Sequence, residues 1–322
     1  MQTILVTGVA GFIGSKVTEF LLDQGCTVIG VDNLNDYYDT TLKYWRLERL
    51  QMNNNFTFYK LDIENYEALD IIFHMHHPDA VINLAARAGV RYSMENPFVY
   101  MTTNAGGTLN LLDLCRLHDV SKFVLASTSS LYAGQTMPFH ESLAVNTPIS
   151  PYAASKKAAE NMAYSYHYLY GLDITILRYF TVYGPAGRPD MSIFRFAKWI
   201  IEDKALQIFG DGKQSRDFTY VDDIARGTIA ALKPVGYEVI NLGNNHPADL
   251  LKVVDLIEIY TGKKAVFEYE EFHKADILDT WADINKAKNL LGWSPQIELE
   301  EGIHRTAAWF EQNWQWLQNI RT

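Results

Sequence analysis

The run Gly8-Val9-Ala10-Gly11-Phe12-Ile13-Gly14 constrains this chain more than any other stretch. It follows a short β-rich segment, Thr3 to Thr7, and leads into a helical pattern of apolar residues, Val17, Phe20, Leu21 and Leu22. Glycines let the backbone turn tightly and approach a ligand, and the helix behind them turns unpaired N–H groups toward an anion. Strand, glycine-rich turn and helix is the context of a dinucleotide site. The spacing is G-x-x-G-x-x-G, one residue longer than G-x-G-x-x-G. A second strand, Thr27 to Val31, ends in Asp32-Asn33. A carboxylate there bonds ribose hydroxyls and repels a 2′-phosphate, so the expected cofactor is NAD and not NADP. A third strand, Phe56 to Leu61, ends at Asp62-Ile63, placed to meet an adenine.

The same rhythm continues. Ala80 to Ala86 reads as a buried strand whose end, Leu84-Ala85-Ala86, should line the cofactor. Arg87 and Arg91 follow in a loop, where they serve either an anionic ligand or surface solubility. Pro97 to His118 reads as one long helix with Asn104 in its first half. Phe123 to Ala126 is an apolar strand that emerges into the hydroxyls Ser127, Thr128, Ser129 and Ser130. Ser150 and Pro151 then open a helix as N-cap and first residue. Tyr152 and Lys156 lie four apart and share its face. A nearby ammonium and a helix N-terminus both favour phenolate, which makes Tyr152 a candidate base near neutral pH. The plain alternative is an ordinary Tyr and Lys on an amphipathic helix; the upstream motifs weigh against it.

After the strand Leu172 to Arg178 and the run from Tyr179 through Thr181 to Pro185, the rhythm loosens. The expected fold is α/β: a Rossmann-like doubly wound parallel sheet with a smaller C-terminal substrate-binding lobe. Residues 1–180 form the first domain, segments near 219–246 return to it, and 181–322 form mainly the second lobe.

A net charge of −10 over 322 residues argues against nucleic acid or an anionic membrane as partner. Two cysteines in apolar contexts, Cys26 and Cys115, point to a reducing compartment, and no leader or membrane span is read, so a cytoplasmic location is expected. His74, His76 and His77 resemble metal ligands, but no carboxylate or cysteine completes a set, and they suit a helix C-terminus before Pro78. No metal is expected. Trp309, Trp314 and Trp316 read as packing of a last amphipathic helix.

Together, the glycine fingerprint, the Ser/Thr strand end and Tyr152-Ala-Ala-Ser-Lys156 resemble the extended short-chain dehydrogenase/reductase superfamily. Within its NAD-dependent epimerase/dehydratase family, the chain looks most like the UDP-glucuronate 4-epimerases over essentially its whole length. The discriminating stretches are Asp32 to Asp39, Ala85 to Pro97 and Gly184 to Met191. The resemblance implies C4 epimerisation of a UDP-uronic acid, UDP-glucuronate to UDP-galacturonate, through a 4-keto sugar with NAD that stays bound. It implies Tyr152 as base, Thr128 bonding the same sugar oxygen, and Lys156 on the nicotinamide ribose. The implied cofactor site takes in Gly8, Gly11, Phe12, Ile13, Gly14, Asp32, Asn33, Asp62, Ile63, Leu84, Ala85, Ala86, Asn104, Ser127, Tyr152, Lys156 and Tyr179. For the substrate it implies Arg216 on the diphosphate and Asp276 near the uridine ribose. Thr128, Ser129, Ser130, Thr181 and Arg188 are candidate holders of the uronate carboxylate, with Arg87 and Arg91 next in line. A diphosphate contact for Arg188 and a strand-end cap for Thr181 remain alternatives. Two positions depart from the pattern: Ala133 stands where Gly usually follows the Tyr, and His273 where many galactose-type epimerases have Arg. Related decarboxylases and 4,6-dehydratases carry Glu where this chain has Ser130, which weighs against them; UDP-glucuronate decarboxylation and C4 epimerisation of another UDP-sugar are the alternatives, and an NAD-sensing module without chemistry a weaker one. A homodimer built on the helices Pro97–His118 and Tyr152–Tyr170 is also expected.

Overall fold

A computed structural model of the chain describes residues 2–271 and 279–322. Seven strands form one parallel sheet: β1 (Thr3–Thr7), β2 (Thr27–Asp32), β3 (Phe56–Lys60), β4 (Ala80–Asn83), β5 (Lys122–Thr128), β6 (Asp173–Tyr179) and β7 (Tyr237–Leu242). Their order is β7-β6-β5-β4-β1-β2-β3. The chain therefore runs outward from β1 through β2 to β3, then crosses back to β4 on the other side of β1. That reversal opens a crevice at the carboxyl ends of β1 and β4, where ligands bind in open α/β sheets. Gly8 leaves β1 there, and Leu84 leaves β4.

All seven residues of β5 are buried. A strand covered on both faces can be continuously apolar, as Phe123 to Ala126 is, until its end must meet a polar cleft. Ser127 and Thr128 are that end. The next long helix, Pro151–Tyr170, starts as its sequence requires: Ser150 Oγ accepts the Ala153 N–H at 3.2 Å, and Pro151 occupies the first turn.

Beyond β6, apart from β7, the strands form two-stranded pieces. Thr181–Tyr183 pairs with Phe218–Tyr220, Ala205–Phe209 with Val266–Glu270, and Ser215–Arg216 with Ala248–Asp249. Helices Ser192–Ile201, Leu250–Thr261 and Leu299–Leu317 pack on them in one apolar cluster. That cluster also takes Phe12 and Leu42 from the first lobe. Trp45 bridges likewise, with Trp309 and Trp316 at ring-centroid distances of 5.6 and 5.9 Å. The lobes thus share a core beside the glycine loop.

One element differs from its sequence reading, and one conceals its burial. The stretch read as one helix, Pro97 to His118, is α-helical at Phe98–Tyr100, widens to a π-helix over Met101–Gly107, and returns to α at Thr108–Leu117. The widening accompanies a close approach: a Cβ on Gly107 would stand 2.5 Å from the Ile63 side chain. The helix Thr41–Gln51 looks polar, yet it buries Lys43 and Arg46, 4% and 3% exposed.

Candidate active site

A cavity of about 380 Å³ lies at the carboxyl ends of the central strands. At one end its wall is backbone. Gly8 has φ +68°, and a Cβ there would press the Ala85 backbone at 2.7 Å; one on Gly14 would stand 2.1 Å from the Gly8 carbonyl. Helix Phe12–Asp23 begins at Gly11 with no side-chain cap and no acidic residue in its first turn. Its opening N–H groups and dipole therefore suit an anion. At the end of β2, Asp32 accepts the Ala10 and Leu34 N–H groups at 3.1 and 2.8 Å, with Lys43 Nζ 3.7 Å away. Asp62 accepts from Asn33 Nδ2 at 2.6 Å. An anion cradle beside two strand-end carboxylates fits a dinucleotide, with its pyrophosphate on the glycine loop and its ribose and base toward Asp32, Asn33, Asp62 and Ile63.

The other end is walled by side chains. Tyr152 faces the cavity from the first turn of its helix, beside Thr128 at the end of β5. The Thr128 Oγ1 accepts the Ser130 N–H at 3.1 Å and lies the same distance from Ser130 Oγ. Ser129, Ser130, Thr181 and Arg188 line the same space, as do Arg87 and Tyr179. The Arg188 fork is bidentate on Asp190, with Nε–Oδ1 at 3.0 Å and Nη2–Oδ2 at 2.5 Å, and its guanidinium lies 5.7 Å from the Tyr37 ring centre. Burial opposes the Arg188 charge, but Asp190 more than restores it and holds its pKa above the ordinary value. Because Asp190 engages Nε and Nη2, Nη1 is the edge left for an anionic ligand.

Protonation here corrects a sequence expectation. Tyr152 is not set toward phenolate by Lys156. Burial raises its pKa above the usual value, and the opposing influences are the Thr128 hydroxyl and the Arg188 charge. Lys156 Nζ donates instead to the Ala126 carbonyl at 2.8 Å. Burial pushes Lys156 down to about 8, against the pull of Glu160. Helical spacing put the two side chains on one face and in one cavity, but it did not tell that Nζ would bond the Ala126 carbonyl.

Two further residues, Asn104 and Arg216, stand apart from the lining. Asn104, expected on the cofactor, spends its amide elsewhere. Its Oδ1 accepts the Arg87 N–H at 2.8 Å, and its Nδ2 donates to the Arg87 carbonyl and to Ser155 Oγ, both at 2.9 Å. It ties the loop after β4 to the helix carrying Tyr152. Arg216 does not line the cavity; its Nη1 donates to the Ser215 carbonyl at 2.8 Å. Asp276 and His273 lie outside the described residues. Ser127 lines the cavity, but its hydroxyl donates to Glu160 Oε1 at 2.7 Å, and Glu160 is gripped by Arg178. Sequence reasoning missed Lys43, Tyr37 and Tyr38 in the lining. The stretch Asp32 to Asp39 was singled out as distinctive, so a signal for the two tyrosines existed; Lys43 had none beyond its place on a helix that looks polar.

The only carboxylates among the described lining residues are Asp32 and Asp62, at the dinucleotide end. No group of three potential metal ligands occurs among the described residues, and no described helix is long and apolar enough to cross a membrane.

A parallel sheet with a glycine-loop crevice and a Thr–Tyr–Lys set beside it defines a class, and comparison gives the family: residues 5–306 match the GDP-mannose 4,6 dehydratase family, to which the chain belongs. Within it, the chain is 62% identical to the UDP-glucuronate 4-epimerase of Thermodesulfobacterium geofontis, over 100% of both chains. The Bacillus cereus UDP-glucuronic acid 4-epimerase in complex with UDP-glucuronic acid and NAD superposes with a TM-score of 0.91 at 40% identity, covering 97% of this chain and 99% of that one. The UDP-glucose 4-epimerase of Thermotoga maritima with UDP-glucose gives 0.88 at 34% identity, covering 97% and 100%.

Proposed function

We propose that this chain is an NAD-dependent UDP-glucuronate 4-epimerase that interconverts UDP-glucuronate and UDP-galacturonate. The observation that carries the reading is Arg188 entering the same cavity as Tyr152 and Thr128, close enough for its charge to act on the phenol. A sugar C4 hydroxyl beside Tyr152 would place a C5 carboxylate within reach of such a cation. The 62% identity to a protein of that name supports the same reading.

NAD, held by the glycine loop, Asp32 and Asp62, supplies a reversible two-electron acceptor at C4. Tyr152 takes the proton of the 4-hydroxyl and returns it after the sugar has turned over. Thr128 bonds the same oxygen and steadies Tyr152 as its charge develops. Burial makes the Tyr152 phenolate costly, so the base depends on Thr128 and on Arg188. Lys156 orients the nicotinamide ribose and stays protonated below about 8.

Oxidised at C4, a uronate is a β-keto acid and loses carbon dioxide readily when its carboxylate stands perpendicular to the ketone plane. The chain therefore has to hold that carboxylate while the ring rotates. Ser129, Ser130 and Thr181 offer neutral donors, and Arg188, fixed by Asp190, offers a charged one. Ser130 occupies the place of a dehydratase glutamate, and a hydroxyl there supplies neither a strong base nor an acid for elimination. We assign Arg216 and Asp276 to the uridine diphosphate end. Residues 1–180 would serve mainly the dinucleotide and 181–322 mainly the sugar nucleotide.

We place the enzyme in the cytoplasm, in keeping with its two free thiols, Cys26 and Cys115. We also assign it a homodimer. Phe98, Met101, Met162 and Leu169, exposed at 78, 46, 40 and 63%, give neighbouring helices an apolar outer face, whereas Leu111, Leu112 and Leu114 are in the core. Incubation with UDP-glucuronate, UDP-glucose and UDP-N-acetylglucosamine tests the function. UDP-galacturonate should form fastest; a 4-keto pentose as main product, or preference for a neutral sugar, would overturn the assignment.

A further inference from the structure

Arg46 plays no part in the chemistry above, yet it is among the most heavily engaged side chains near the site. It lies on the helix Thr41–Gln51 and is 3% exposed. Its Nη1 donates to the Ala10 carbonyl at 3.0 Å and to the Tyr38 hydroxyl at 2.9 Å. Its Nε and Nη2 both donate to the Ala186 carbonyl, at 3.1 and 2.6 Å, and Nη2 also reaches the Gly187 carbonyl at 3.1 Å. One buried guanidinium thus joins three pieces of the cavity wall: the glycine loop, the Tyr37–Tyr38 segment and the loop that runs into Arg188.

The Ala186 backbone has φ +52°, a left-handed conformation that a residue with a Cβ adopts at a cost. The forked pair from Arg46 lands on the carbonyl of that residue, two positions before Arg188. No other side chain type offers so many donors in one plane, and a buried ammonium would leave several of these carbonyls without a partner.

We infer that Arg46 is a positioning residue that couples the dinucleotide loop to the Arg188 loop, so that a filled glycine loop sets where Arg188 meets the substrate carboxylate. The inference rests on the carboxylate role of Arg188 given above. Arg46 touches neither substrate nor cofactor in this scheme; it acts through the backbone at residues 10 and 186–187. A displacement of about 1 Å at a positioned group can cost up to about 10²-fold. The effect should therefore appear as lost preference for the charged sugar and not as uniform loss of rate.

The test is a double-mutant cycle with R46K, R188A and R46K/R188A, assayed on UDP-glucuronate and UDP-glucose. Folding is checked by melting temperature and by NAD released on denaturation. R46K should lower the glucuronate-to-glucose ratio of kcat/KM by about tenfold or more, and should add nothing further once Arg188 is gone. If R188A lowers the ratio but R46K keeps it, or lowers it equally in both backgrounds, the coupling is wrong while the Arg188 reading stands. A wild-type ratio in R188A would overturn that reading and this inference together. Should R46K fail to fold, Tyr38→Phe removes one Arg46 acceptor while keeping its ring. The ratio should then fall by a smaller factor in the parent and be unchanged in R188A; equal effects in both would again overturn the coupling.

Discussion

At the Gly8–Gly14 end of the cavity the wall is main chain, and any added atom collides with main chain. At the Tyr152–Arg188 end the wall is side chains, each held by a neighbour: Thr128 by Ser130, Arg188 by Asp190, Lys156 by the Ala126 carbonyl. The first end recognises features common to every dinucleotide, a pyrophosphate and a ribose. The second must distinguish one sugar from others and time a proton transfer. A backbone site tolerates almost no substitution but carries little specificity. A side-chain site can be retuned residue by residue, so its substitutions should have graded and separable effects.

The most severe break is expected at the backbone end. In Gly14→Ala the new Cβ would stand 2.1 Å from the Gly8 carbonyl, so the loop must shift. Denaturing the purified variant should release almost no NAD, and turnover should be undetectable. Retention of near-stoichiometric NAD would show that the loop is softer than its geometry implies. At the other end, Tyr152→Phe should leave NAD content unchanged and lower kcat by about 10²–10⁴-fold, the usual contribution of a general acid–base group. Near-normal turnover would remove Tyr152 from the chemistry.

Smaller still is the effect expected for Arg188→Ala. A charge-assisted hydrogen bond contributes about 1.5–3 kcal/mol, so preference for UDP-glucuronate over UDP-glucose should fall by roughly ten- to a hundredfold. The share of decarboxylated 4-keto pentose should rise at the same time. An unchanged preference with an unchanged product ratio would move the carboxylate to other donors.

The mildest test is pH. Lys156 is pushed down to about 8, so its charge is lost as pH rises through that value, and kcat should decline there. Its effect on stability has the opposite sign. The unfolded chain keeps this lysine near its ordinary 10.5, so between about 8 and 10.5 the unfolded state binds more protons, and this group's contribution to stability rises with pH. A kcat that falls above about 8 without a matching loss of folded protein fits this picture. A kcat flat across that range would separate Lys156 from catalysis.

The same contrast governs what was legible in the sequence. Glycine spacing, apolar strands and the Ser150-Pro151 helix start act through local backbone geometry, which neighbouring residues report. The parallel sheet and the dinucleotide crevice therefore followed from the chain itself. The orientation of side-chain tips did not. Tyr152 and Lys156 share a helical face, but whether Nζ meets the phenol or the Ala126 carbonyl depends on how β5 packs under the helix. Asn104 lies in the widening over Met101–Gly107, and its bonds to Arg87 and Ser155 depend on elements distant in sequence. Arg46 offered no sign at all, because a polar helix that buries its cations against backbone carbonyls looks like a solvent-exposed one until the second lobe is in place.

The most direct measurement follows the hydrogen at C4. UDP-glucuronate carrying deuterium at that carbon, incubated in ordinary water, should give UDP-galacturonate that keeps the deuterium at C4, with no added NAD consumed. Loss of the label to solvent, or release of carbon dioxide in step with turnover, would contradict a cavity that oxidises, holds and returns the same sugar.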